Sequence, residues 1–224
     1  MTALIWKRCH TKVYIVHHHP VQRTSLFKAA SRCTVFLMAY PAKTDRESVL
    51  AAALEQVESE GVENLAIRSV AAKLGLAPNA LYRYFESLAA LQAALAEEAR
   101  RQMLEVMRKA AGRKGPSETI RAISKAYLRF AQQRPRVFAL YLETSGADAH
   151  TPQCTRNTEF FFEQVTRVYG KERATKASHA LWAFLHGLAV LLDAGVLPPE
   201  DAFTSLKFGL QIWIDGAISP LKTN

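Results

Sequence analysis

From residue 44 onward, apolar residues recur three and four positions apart, the spacing of one helix face, and no segment keeps the two-residue alternation of a strand. The first stripe is Val49, Leu50, Ala53, Leu54 and Val57. Thr44-Asp-Arg-Glu47 before it reads as a capping box and Gly61 after it as a stop. A second stripe, Ile67, Val70, Ala71 and Leu74, breaks at Gly75. Pro78 then stands where a further helix begins, its missing N–H costing nothing at the first helical position. With Ala77 as N-cap, Leu76 and Leu81 take the two positions of a hydrophobic staple.

Two short helices joined by a tight glycine turn make a helix-turn-helix, the unit that lays its second helix in a DNA major groove. In that second helix Leu81 and Phe85, one turn apart, belong to the core, while Asn79, Ala80, Tyr82 and Arg83 face outward. A polar, aromatic and cationic outer face suits phosphates and base edges.

A long stripe follows from Ser87, through Leu88, Leu91, Leu95, Ala99, Met103, Val106 and Ala110, and ends near Gly112 to Pro116. A helix of about 25 residues spans nearly 40 Å, enough to couple two bodies mechanically. Prolines punctuate the remainder. Pro116 precedes a face of Ile120, Ile123, Tyr127 and Phe130, and Pro135 opens a short helix with Val137, Phe138, Leu140 and Tyr141. Residues 144–151 read as a loop, 153–169 as a helix bearing Phe160, Phe161 and Phe162, and Gly170 as its stop. The last two helices, 172–194 and 200–218, are apolar over much of their girth, which predicts wide burial against the core and a second subunit. The first carries Ala174, Ala177, Leu181, Phe184, Leu188 and Leu191 on one stripe. Gly209 and Gly216, two turns apart on the second, fit a close helix crossing, between subunits or within one chain. The fold class that emerges is all-α.

Charge changes less than its total suggests. The net charge is +9 over 224 residues, yet residues 1–44 carry seven Lys or Arg and no acid, leaving 22 basic against 20 acidic residues beyond them. The body is nearly neutral, so a DNA-binding surface must come from local clustering. Residues 1–37 lack helical period and hold the run His17–His19; they read as sequence upstream of a start at Met38, with a basic DNA-contacting arm or a transit peptide as the alternatives. Cys9, Cys33 and Cys154 form no CxxC and read as reduced thiols of an intracellular protein. No apolar run reaches membrane-spanning length.

Residues 45–95 resemble the N-terminal DNA-binding domain of TetR-family transcriptional regulators. The resemblance is carried by EQVESEGVENLAIRSVAAKLGLAPNALYRYF, its LYRYF core, and the spacing from Gly61 to Gly75 to Phe85. In LWAFLHGLA, the residues Trp182, His186 and Gly187 resemble the Trp-His-Gly pattern of one TetR C-terminal group. The resemblance implies a three-helix DNA-binding head over 38–86 and a helical ligand-binding and dimerisation domain over 87–224, with residues 1–37 left by their composition as an atypical basic tail. It further implies a homodimer paired through 172–218, a double-stranded operator, a small-molecule effector, no cofactor, and a place in the bacterial cytoplasm, on the nucleoid when bound to DNA.

Carried over by motif position, Tyr82 and Tyr84 contact phosphates, and Asn79, Ala80 and Arg83 lie nearest base edges behind Pro78. Arg68 and Ser69, at the start of the first helix of the pair, would hold a phosphate aided by the helix dipole. Lys43, Arg46 and Lys73 are lesser candidates. Two departures stand out: Ala66 and Ala77 occupy N-cap positions where the family usually has Ser or Thr, and Leu88 stands where it often has Lys. Tyr127, Phe130, Phe138, Tyr141, Phe161, Trp182 and His186 are the candidate walls of an effector cavity.

The competing class is an all-α bundle enzyme or small-molecule binder without a DNA role, suggested by His179, His186 and Asp193 at seven-residue spacing. Two helical turns separate such side chains by more than about 10 Å, so they do not converge on one metal. P-loop, dinucleotide-binding, GxSxG and HExxH patterns are absent. The favoured reading is a DNA-binding repressor released by a ligand.

Overall fold

The computed structural model describes residues 44–142 and 151–218; the tail, Lys43 and residues 144–150 of the expected loop lie outside them. The described residues form nine α-helices and no strand: α1 (Arg46–Glu60), α2 (Ile67–Lys73), α3 (Pro78–Leu81), α4 (Leu88–Ala111), α5 (Pro116–Gln133), α6 (Pro135–Leu142), α7 (Pro152–Tyr169), α8 (Lys171–Asp193) and α9 (Pro199–Ile218). The helical periods are realised nearly residue for residue, because prolines and glycines punctuate every junction after Gly112.

Each start has a local cause. Pro78, Pro116, Pro135, Pro152 and Pro199 each occupy the first helical position. Ser87 caps α4 by accepting the Ala90 N–H at 3.0 Å. The cap of α1 differs from the expected Thr44 box. Asp45 is the N-cap, its Oδ1 accepting the Ser48 N–H at 2.7 Å, and Thr44 lends only its carbonyl, to the Tyr84 hydroxyl. An ionised carboxylate is the stronger acceptor at the positive end of a helix. That bond also holds the Asp45 carboxyl below its ordinary pKa.

The turn between α2 and α3 uses the one conformation that glycine favours. Gly75 has φ +65°, and the Gly75 and Leu76 N–H groups return to the Ala72 and Ala71 carbonyls at 3.1 and 2.9 Å. This paired closure satisfies the last carbonyls of α2 and reverses the chain within two residues. Leu81 and Phe85 are then buried beside Val49, Ala53, Val57, Val70 and Ala71, closing a small three-helix core.

Helices α4 and α5 form the spine. α4 packs against α1 on one side and α5, α6 and α7 on the other, while α5 also meets α8 and α9. At 24 residues, α4 is about 36 Å long at about 1.5 Å per residue, and it runs from the head into the body. Polar bonds to α7 seat it there: Asn157 Nδ2 donates to the Arg100 carbonyl at 2.9 Å in a buried position, and the Thr151 hydroxyl donates to Glu97 at 2.6 Å. The α8–α9 crossing is intramolecular. Gly209 sits against the Phe184 ring, where an added Cβ would overlap it, and the Trp213 indole donates to the Ala177 carbonyl at 3.3 Å.

Candidate nucleic-acid interface

α3 is a single turn of α-helix, prolonged to Phe85 by turns in which the Tyr84 and Phe85 N–H groups both reach the Leu81 carbonyl, at 2.9 and 3.0 Å. With Leu81 and Phe85 drawn inward, the intervening residues are thrown out. Tyr82 is 51% exposed, Pro78, Asn79 and Arg83 are exposed, and Ala80 is half-buried. Arg68 and Ser69 are exposed on the first turn of α2. Neither Ala66 nor Ala77 makes a side-chain cap; the Ser69 and Ala80 N–H groups turn back to the Ala66 and Ala77 carbonyls at 3.1 and 2.9 Å, and the Arg68 and Asn79 N–H groups keep their donors for water or a phosphate.

Tyr84 behaves differently from its neighbour. Its ring is half-buried and its hydroxyl donates to the Thr44 carbonyl at 2.6 Å, tying the start of α1 to the end of the motif. The proton a phosphate would need is therefore already engaged within the head. Arg46 is turned to a structural task as well, with its guanidinium 4.6 Å above the Phe85 ring. Lys73 is exposed at the end of α2.

The seven candidate cavity residues do not gather in one place. Tyr127, Phe138 and Tyr141 form a cluster, with Tyr127 edge-on to Phe138 at 5.3 Å and to Tyr141 at 6.0 Å. Burial raises the pKa of both tyrosines, that of Tyr141 to about 12. Phe130 is buried but lies beside the Arg134 guanidinium, 5.8 Å away, and Phe161 is half-buried against the core. Trp182 is 49% exposed, tilted on His186 at 5.1 Å. The cause is angular: Leu181 and Leu185 hold the buried stripe of α8, and Trp182 is turned about 100° from Leu181. Phe184 is half-buried and Leu191 exposed, so the true stripe continues through Leu188 and Ala189. The hydroxyls of Ser124, Tyr127 and Ser178 and the Nδ1 of His186 are enclosed without a hydrogen-bond partner among the described residues. No cluster of three metal-ligating residues exists among the described residues, and no helix there is long and apolar enough to cross a membrane.

Sequence reasoning missed Arg134, between α5 and α6. It carries no motif; its significance lies in reaching two helices distant in sequence. Nε and Nη2 donate to the two Glu58 carboxylate oxygens of α1, both at 2.8 Å, and Nη1 donates to Gln102 Oε1 of α4 at 2.5 Å.

Two family models match successive parts of the chain. Residues 49–95 match the model for bacterial regulatory proteins of the tetR family, and residues 120–211 match that for the tetracycline repressor-like C-terminal domain. The chain belongs to the TetR family. Among the relatives of this TetR-family regulator is a helix-turn-helix-type transcriptional regulator of Mycobacterium tuberculosis, 26% identical over 168 residues, covering 73% of this chain and 77% of that one. Another is the regulator YobS of Bacillus subtilis, 24% identical over 77% of this chain and 92% of its own. A Rhodococcus protein of unknown function shares the fold with a TM-score of 0.70 at 22% identity, over 80% of this chain and 98% of that one. A variant of TetR from Acinetobacter baumannii, solved in complex with minocycline, does so with a TM-score of 0.58 at 22% identity, over 78% and 96%. As a TetR-family transcriptional regulator, the protein binds DNA through the helix-turn-helix of its head.

Proposed function

We propose that the protein is a dimeric repressor, released from its operator by a small molecule bound in the helical body. The observation that carries the DNA half is the outer face of α3 and the turn after it, where Asn79, Tyr82 and Arg83 stand exposed while Leu81 and Phe85 anchor inward. Arg83 has the donors for guanine O6 and N7, and Asn79 those for adenine N6 and N7. Tyr82, and Arg68 and Ser69 across the turn, are exposed polar groups of the kind that bind phosphates, which supports that role for them. Pro78 sets the start of the recognition turn, and Ala80 allows close approach to a base edge. Tyr84 serves by holding the motif to α1.

A second copy is supported by an apolar outer face on the last two helices. Trp182, Val190 and Leu191 of α8 and Phe208 and Ile212 of α9 are all exposed, Phe208 by 69%. Large side chains in such number are what a subunit interface covers. Pairing there gives two heads for successive major grooves of a near-palindromic operator. The effector half is supported by the aromatic cluster of Tyr127, Phe138 and Tyr141, with the enclosed hydroxyls of Ser124, Tyr127 and Ser178 on α5 and α8. Buried hydrogen-bonding groups without partners are costly, and a mostly apolar ligand with one or two polar atoms would satisfy them. Such a ligand shifts operator affinity only by favouring one head spacing over the other.

The test is selection of bound fragments from a genomic pool, followed by titration of the recovered duplex at several salt concentrations. The reading expects one enriched near-palindrome, with affinity falling steeply as salt rises. Recovery of no sequence, or binding indifferent to salt, refutes it. For the effector, compounds that raise the melting temperature should also weaken operator binding; stabilisation without any change in operator affinity refutes the release mechanism.

A further inference from the structure

Arg134 joins three parts of the molecule that the chain leaves far apart. Its fork grips both Glu58 oxygens at the end of α1, its remaining nitrogen reaches Gln102 on α4, and the Arg136 guanidinium adds a bond to the Glu58 carbonyl at 3.1 Å. The Arg134 backbone is the break between α5 and α6, with φ −137° and ψ 59°, and its carbonyl accepts the Phe138 N–H at 2.8 Å, opening α6. Phe138 belongs to the aromatic cluster of the body. One residue thus holds the DNA-binding head with its side chain and the first turn of α6 with its backbone.

The contact lies at the solvent edge of the head. Beside it lies a groove of about 620 Å³ between α1 and α4, lined by Glu47, Leu50, Leu54, Glu58, Glu98 and Arg134, which brings water up to the pair. The Arg134 and Glu58 side chains are 30% and 41% exposed, and an ion pair in contact with water is cheap to break. The bonds seating α4 on α7 run instead through the buried Asn157 and Arg100, where loss of one partner is expensive. The releasable contact is thus the one from the α5–α6 junction to Glu58 of α1, while on α4 its partner Gln102 lies two residues from the fixed Arg100.

We propose that the Arg134–Glu58–Gln102 contact is a clasp that sets the angle of the helix-turn-helix head on the body, and that Arg134 is a positioning residue for operator binding. It touches no DNA. It makes the reading-competent orientation the populated one. This rests on the operator-binding reading above.

The experiment uses the full chain with Glu58→Gln, which keeps the size of the side chain and removes its charge. Electrostatics alone predicts tighter DNA binding, since a negative charge leaves the head. The clasp predicts the opposite: affinity for a duplex selected with the unaltered protein falls about fivefold or more, the lower range of allosteric couplings. The dependence of affinity on salt stays the same, because no phosphate contact is lost. Arg134→Lys, which keeps charge but not the fork, falls in the same direction.

A second readout needs no DNA. With Cys9, Cys33 and Cys154 replaced by Ser, spin labels at Glu63→Cys on the head and Thr175→Cys on α8 report the head-to-body distance. A narrow distribution that broadens on Glu58→Gln supports the clasp. Unchanged width overturns it, whether or not affinity falls, and so does Glu58→Gln binding the duplex as tightly as the unaltered chain or more so. If the unaltered protein selects no duplex, the operator-binding reading fails, and the distance measurement still decides the clasp.

Discussion

Serine at position 77 separates the two physical roles of a recognition-helix cap. Ala77 has φ −70° and ψ 142°, the extended backbone of an N-cap, and it is exposed, so a hydroxyl enters without steric cost. Capping serines are typically worth about 1 kcal/mol over alanine, within about 0.5–2. The structure places this site in the lower half. Pro78 has no N–H, and the Ala80 N–H already reaches the Ala77 carbonyl at 2.9 Å. The Asn79 N–H is the donor that gains, and Asn79 is exposed, so the new bond replaces one to water. A gain of about 0.5–1 kcal/mol corresponds to a melting temperature higher by about 1–4 °C in a domain of this size.

Operator affinity should rise about two- to fivefold if the hydroxyl also reaches a phosphate. The salt dependence stays as it was, because a neutral donor displaces no counterion. Ala77→Asp is the control. It should raise the melting temperature at least as much, since a carboxylate suits a helix N-terminus, yet weaken DNA binding by placing a negative charge against the backbone phosphates. Differential scanning calorimetry and gel-shift titration read the two effects. If neither variant raises the melting temperature, Ala77 is not a deficient cap. If Ala77→Asp binds the operator as well as Ala77→Ser does, α3 does not face DNA.

Tyr82→Phe should weaken binding to all sequences alike, whereas Tyr84→Phe should cost about 0.5–1.5 kcal/mol of stability through the lost bond to Thr44 and affect operator affinity less; equal losses of affinity would return Tyr84 to the DNA surface. Gly209→Ala should destabilise by about 1–3 kcal/mol because its Cβ meets the Phe184 ring, and Phe184→Leu should restore most of the loss. Gly216→Ala, whose Cβ would lie 3.5 Å from the Tyr169 hydroxyl, should be neutral or stabilising in the same denaturant titration. The Arg134 guanidinium holds the Glu58 carboxyl below its ordinary pKa of 4.5. A depressed carboxylate contributes its stability above that value and loses it as pH falls through the lowered one. Glu58→Gln should therefore flatten the decline of melting temperature below pH 4.5, and an unaltered profile would show the pair contributes nothing.

Much of this molecule is written in local pattern. Helix bounds follow from apolar period and punctuation: Pro116, Pro135 and Pro152 open helices where proline must, and Gly75 turns the chain where only a left-handed residue is easy. The outer face of α3 was legible for the same reason. Once Leu81 and Phe85 are drawn into the core, helical geometry leaves Asn79, Tyr82 and Arg83 no other side. The matched family models then agree with what the motif implies.

Tertiary structure alone decided the rest, wherever a residue's partner lies far along the chain. The hydroxyl of Tyr84 meets the carbonyl of Thr44, 40 residues earlier, a partner that no local pattern announces. Trp182 belongs to an aromatic set by composition, yet a rotation of one residue on α8 carries it to the outer face, away from Tyr127 and Phe138. Arg134 carries no local signal, because its meaning consists of Glu58 and Gln102, 76 and 32 residues away. Periodicity determines which face of a helix is buried; which helix it is buried against, and which charge waits there, is determined only when the helices pack.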